Sequence, residues 1–239
     1  MIWKSDFSIN FAPETSKRKM NDTDKYKLRE TTVAVVDDHE VVLEGLKSYL
    51  SKSGIGDVEA FARADALFSR MRLRRFDIYI IDIEMPDTTA EELIDTIHSL
   101  QPDAKIIVNT IHEEMWVVSK MMEKHVDGVL YKSAHLEQMI EAVLAVSTGQ
   151  QYFCKKFRQS QSRLQHHNEI LTKREIDVLK AIANGLSTKE IAASFFISEN
   201  TVESHRQNLF RKLDTPNMAS LIVKAIAAGY IDPEEIVKT

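Results

Sequence analysis

The first half of the chain places three carboxylates, one hydroxyl and one ammonium at the ends of four short apolar runs. Val33-Ala34-Val35-Val36 leads into Asp37-Asp38, and Ile78-Tyr79-Ile80-Ile81 leads into Asp82. Ile106-Ile107-Val108-Asn109 leads into Thr110, and Gly128-Val129-Leu130-Tyr131 leads into Lys132. Clustered carboxylates repel one another unless a hard cation sits among them, and Mg²⁺ prefers such oxygen ligands. Asp82, the middle member, is the natural nucleophile toward phosphorus.

For these residues to meet, the runs must be parallel strands. They are short, rich in β-branched residues and separated by helix-length segments, the pattern of strands buried on both faces. Helices are expected near 40–51, 64–72, 89–99, 114–125 and 135–148, and Val58-Glu59-Ala60-Phe61 supplies a further strand. Five strands alternating with five helices make a doubly wound, flavodoxin-like α/β sheet of right-handed βαβ units. In that architecture the ligand crevice lies beyond the carboxyl ends of the strands.

The second half is helical from about residue 171. Thr172 with Glu175, and Ser187 with Glu190, form Ser/Thr-x-x-Glu capping boxes, and Gly185 stands where a left-handed helix end belongs. Ser198 caps a third helix after the turn at Phe196-Ile197, which gives helix-turn-helix spacing. In the helix near 199–213, Val202, Leu209 and Leu213 recur on one face toward Ile191 and Phe195. A fourth helix runs from about Met218 to Ala228.

Two sets of motifs resemble known families. "VAVVDDHE", "IIDIEMP", "VNTIHEE" and "GVLYKSA" resemble the receiver domain of two-component response regulators. "LTKREIDVLKAIANGLSTKEIAASFFISENTVESHRQNLFRKL" resembles the LuxR-type helix-turn-helix. Their order is that of NarL/FixJ-type regulators. The resemblance implies that Asp82 accepts a phosphoryl group from a histidine kinase. Asp37, Asp38, Asp82 and the main-chain carbonyl of Glu84 would hold Mg²⁺. Lys132 would clamp one phosphoryl oxygen and Thr110 would bond another as the trigger, a chemistry of positioning and charge neutralisation. Ala90, Val129 and Ser133 depart from the family's usual glycine, aromatic and proline without removing a phosphorylation residue.

For the helical half the resemblance implies a DNA reader. Base edges fall to Glu203, Ser204 and Gln207, with Asn200 and Arg211 also on the DNA side. Phosphates fall to Lys189, Thr201, His205, Arg206 and Lys212. Glu203 stands where lysine is common; it either accepts from a cytosine amino group or pairs within the helix with Arg206. Leu221, Ile222 and Ala225 are expected to pair with a second copy, giving a homodimer on a pseudo-palindromic DNA site. RNA polymerase is the implied downstream partner.

Composition agrees with a switch joined to a reader. Residues 31–150 carry a net charge of −10, residues 151–239 one of +3, and residues 1–30 one of +2. The expected division is a disordered extension over 1–30, a receiver over 31–150, a linker over 151–169 and a DNA-binding domain over 170–235. The single Cys154 and the lack of a long apolar stretch fit a cytoplasmic protein without a membrane span. Two rival functions are a constitutive DNA binder whose receiver only docks proteins, and a haloacid-dehalogenase-type phosphatase. The second needs an Asp two residues after its nucleophile, where this chain has Glu84.

Overall fold

The computed structural model describes residues 20–168 and 171–236. They fall into two compact units. One runs through Ile111 and resumes over Lys124–Lys155; the other comprises His112–Glu123 and the residues from Lys156 onward.

The first unit begins with helix α1 (Asp22–Glu30), then β1 (Thr32–Val36), α2 (Glu40–Lys52), β2 (Asp57–Phe61), α3 (Ala64–Met71), β3 (Ile78–Ile81), α4 (Ala90–Leu100) and β4 (Lys105–Thr110). Helix α5 (Met115–Glu123) groups with the second unit. The first unit then continues with β5 (Gly128–Tyr131), α6 (Leu136–Ser147) and β6 (Tyr152–Phe153). The strands form one parallel sheet in the order β2-β1-β3-β4-β5-β6. β3 and β5 are buried along their whole length, as expected for strands covered on both faces.

Two expectations need correction. The extension over 1–30 was expected to be disordered, yet residues 22–30 form α1. Asn21 caps it through a reciprocal box with Asp24, and residues 1–19 lie outside the described part. Leu28 is buried in a core shared with Leu50, Ile55, Val58 and Val146, and the Gly56 amide donates to the Leu28 carbonyl at 3.0 Å. A Cβ at Gly56 would lie 1.8 Å from the Arg29 carbonyl oxygen, so only glycine lets this helix dock. A single apolar anchor leaves no periodicity to read, which hid the helix in a polar segment.

Of the expected linker, residues 151–168 are likewise structured. β6 adds a sixth strand where five were expected, and α7 (Lys155–Asn168) follows it. β6 pairs with β5 through Gly128 and Val129, and a side chain at Gly128 would meet the Tyr152 carbonyl oxygen at 2.9 Å. Two residues are too few to show alternation, so this strand exists only because β5 offers an edge.

The second unit continues with α8 (Lys173–Ala183), α9 (Thr188–Phe195), α10 (Glu199–Lys212), α11 (Met218–Ala227) and α12 (Pro233–Ile236). The capping boxes at Thr172 and Ser187 form as expected, and Ser198 accepts from the Thr201 amide to start α10. Val178, Leu179, Ile191, Val202, Leu209, Leu213, Leu221 and Ala225 make the core. The turn between α9 and α10 places Phe196 in the left-handed region at φ 55. Among the described residues no helix is long and apolar enough to cross a membrane.

Candidate functional site

The sheet register carries the chemistry-bearing residues of the first unit to one edge. Val36 lies opposite both Phe61 and Ile81, and Thr110 opposite Tyr131. The ladder runs on into the site: the Asp37 amide donates to the Phe61 carbonyl, Asp82 to Val36, and Lys132 to Thr110. Each side chain thus leaves a strand end whose backbone is already tied to a neighbour.

At that edge Lys132 Nζ lies 2.7 Å from Asp37 Oδ2 and 2.7 Å from Asp82 Oδ2. Asp37, Asp82 and Thr110 are all buried, at 2%, 3% and 1% exposure. Burial pushes the Asp82 carboxyl above its ordinary range, with the Lys132 ammonium opposing that rise. Burial alone would lower Lys132, but its hydrogen bonds to Asp37 and Asp82 hold it raised and charged. The Glu84 amide faces Asp82 Oδ1 at 3.4 Å, while the Glu84 side chain is exposed.

Asp38 and His39 complete the group. One ligand atom from each of Asp37, Asp38, His39 and Asp82 lies within 4.8 Å of the others. His39 Nδ1 is 2.7 Å from Asp38 Oδ1, and the His39 amide donates to Asp37 Oδ1 at 2.9 Å. His39 was not singled out from sequence; its position directly after two acids was the available signal. Three carboxylates against one ammonium leave two negative charges at hard oxygen donors, so the set fits a divalent cation.

The second unit presents α10 with Asn200, Thr201, Glu203, Ser204, Gln207 and Arg211 exposed and His205 half-buried, and Lys189 is exposed on α9. Two expected phosphate contacts are engaged within the protein. Lys212 Nζ lies 2.7 Å from Glu175 Oε2, a carboxylate that also accepts from the Thr172 amide and hydroxyl at 2.8 Å each. Arg206 Nη1 donates to Thr188 Oγ1 at 3.3 Å, and its Nε faces Glu203 Oε2 at 3.5 Å. Sequence reasoning also passed over Arg174, which stacks on the Phe195 ring at 4.6 Å and donates to the Phe195 carbonyl at 2.9 Å. It ties down the turn ahead of α10.

The expected pairing surface on α11 is corrected as well. Leu221 and Ala225 are both 0% exposed inside this protomer's own core, and Ile222 packs partly against it. So small a domain needs those side chains to close its interior. The apolar stripe that α11 leaves exposed is instead Ala219, Val223 and Ala227.

Residues 33–144 match the response regulator receiver domain family, and residues 169–225 match the bacterial regulatory proteins of the luxR family. The chain is 29% identical over 210 residues to the response regulator GacA of Pseudomonas aeruginosa, covering 84% of this chain and 97% of that protein. It is 32% identical over 193 residues to the nitrate/nitrite response regulator protein NarP of Escherichia coli, covering 76% and 88%. Among solved structures, RcsB of Salmonella typhimurium matches with a TM-score of 0.65 at 23% identity over 81% of this chain and 98% of that one. A structure of two RcsB dimers bound to two parallel DNAs matches with a TM-score of 0.59 at 24% identity, over 82% and 98%. A receiver sheet with its acidic edge, followed by a LuxR-type helix-turn-helix, places this chain among the NarL/FixJ-type response regulators, the DNA-binding regulators of two-component systems.

Proposed function

We propose that the protein is a phosphorylation-controlled transcriptional regulator whose phosphoacceptor is Asp82. The observation that carries this reading is the Lys132 ammonium held 2.7 Å from both buried carboxylates, Asp37 and Asp82, at the carboxyl edge of the sheet. An Asp82 carboxylate oxygen attacks the phosphorus of a phosphohistidine on a sensor kinase. The P–O bond forms as the P–N bond breaks, and the leaving imidazole nitrogen takes up a proton. Mg²⁺, held by Asp37, Asp38, Asp82 and the Glu84 carbonyl, supplies charge neutralisation when bound. Lys132 passes from its ion pair with Asp82 to a phosphoryl oxygen, and Thr110 donates to another. The chain's own transfer and later hydrolysis are a switch, not turnover of a small substrate.

The output is sequence-specific binding of double-stranded DNA at pseudo-palindromic sites, which then acts on RNA polymerase. A homodimer forms through the exposed stripe Ala219, Val223 and Ala227, whose spacing of four puts them on one side of α11.

Incubation with acetyl phosphate and Mg²⁺, followed by intact-mass analysis, tests the reading. The parent should gain one phosphoryl group, and Asp82→Asn should gain none while keeping its fold. Equal labelling of parent and variant would remove Asp82 from the role. No labelling of the parent would favour a receiver that only docks proteins.

A further inference from the structure

Arg206 was expected on a phosphate, yet its guanidinium is turned inward. Its side chain is 24% exposed, and its Nε is shielded from water with no hydrogen-bond acceptor. Nη1 reaches across to Thr188 Oγ1 at the start of α9 (3.3 Å), while Nε faces the Glu203 carboxylate one turn earlier on α10 (3.5 Å). Glu203 itself remains 53% exposed. One of its sides is therefore against a cation anchored to the neighbouring helix, and the other is open to solvent.

We propose that Arg206 is a positioning residue that holds Glu203 as the acceptor for a cytosine amino group in the major groove. The inference rests on the DNA-reading function given above. A carboxylate can only accept hydrogen bonds, and the cytosine N4 amino group is the donor that acids read in the major groove. An unescorted carboxylate on this surface would be repelled by the phosphates. Arg206 offsets that charge, and its anchor on Thr188 restricts where the carboxylate points. Around it Ser204 Oγ is spent on the Asn200 carbonyl, and Lys212 is held by Glu175. Asn200, Glu203 and Gln207 all expose acceptors along this face, and of these three Glu203 is the one that can only accept.

The test is binding-site selection with the full-length protein, comparing the parent with Glu203→Gln, Arg206→Gln, Arg206→Lys and the Glu203→Gln/Arg206→Gln double variant at two salt concentrations. The parent should select cytosine at one position of each half-site, and Glu203→Gln should shift that position toward adenine, which Gln reads through N6 and N7. Arg206→Gln should loosen discrimination there by roughly 3–10-fold and leave other positions and the salt slope unchanged. The double variant should be no looser than Glu203→Gln alone. Arg206→Lys, which keeps the charge but lacks the fork that spans to Thr188, should fall between parent and Arg206→Gln, and it serves if Arg206→Gln folds poorly. A uniform loss of affinity for either Arg206 variant, with the salt slope reduced by about one, would make Arg206 a phosphate contact and overturn the proposal. A uniform gain for Glu203→Gln would overturn it by showing a merely repulsive acid. A parent that selects no sequence would instead remove the DNA-reading function beneath it.

Discussion

Replacing Lys212 by Ala separates a structural lysine from a DNA contact. Its ammonium neutralises Glu175, which is 3% exposed and starts the first helix of the DNA-binding domain by capping at Thr172. Removing one partner of a fully buried pair costs roughly 3–5 kcal/mol. Two features reduce that here: the Lys212 side chain is 26% exposed, and Glu175 keeps its two bonds from Thr172. A loss of about 2–3 kcal/mol is expected, the range of one hydrogen bond to a charged group left unmade. Amide hydrogen exchange read by mass spectrometry on peptides from α8 and α10 localises the effect. Protection there should fall by roughly 30–150-fold, since about 1.4 kcal/mol is a factor of ten, while peptides from the parallel sheet stay unchanged. Unaltered protection together with a DNA-affinity salt slope reduced by about one would refute this reasoning and return Lys212 to a phosphate.

Three further outcomes follow from the same geometry. Burial would raise the Glu175 carboxyl, but Lys212 and Thr172 outweigh it and hold it below its ordinary range. Its ionised form therefore stabilises the domain fully above about pH 4.5 and progressively less as pH falls through the lowered value; Glu175→Gln should flatten that acid limb in thermal melts taken between about pH 3 and 6. Leu28→Ala should destabilise the receiver by about 2–4 kcal/mol in urea denaturation, because the anchor of α1 is buried; a loss under about 0.5 kcal/mol would mean that α1 contributes nothing to the sheet. Val223→Arg should leave a folded chain that sediments as a monomer after phosphorylation, whereas Ala225→Arg, at 0% exposure, should disrupt the helical domain itself; a folded Ala225→Arg variant would contradict the core assignment.

Short-range pattern carried much of this protein in its sequence. A β-branched run buried on both faces specifies a strand, and the residue that follows it lands at the sheet edge. Asp37, Asp82 and Lys132 were legible in this way, and the ion pairs of Lys132 join them. The capping boxes at Thr172 and Ser187 were legible because both partners lie within one turn. What only the tertiary structure decided depends on partners far apart in the chain. Lys212 meets Glu175 from 37 positions away, and no local signal distinguishes a cation facing a phosphate from one facing a buried carboxylate. Leu28 needs Gly56 and the core beyond it before α1 has anywhere to dock. β6 needs the open edge of β5. On α11 the apolar residues alone do not say which are interior. Periodicity marks a hydrophobic face, but only the packing of the whole helical core determines that Leu221 and Ala225 turn inward and Val223 outward, because burial is a property of the neighbours and not of the residue.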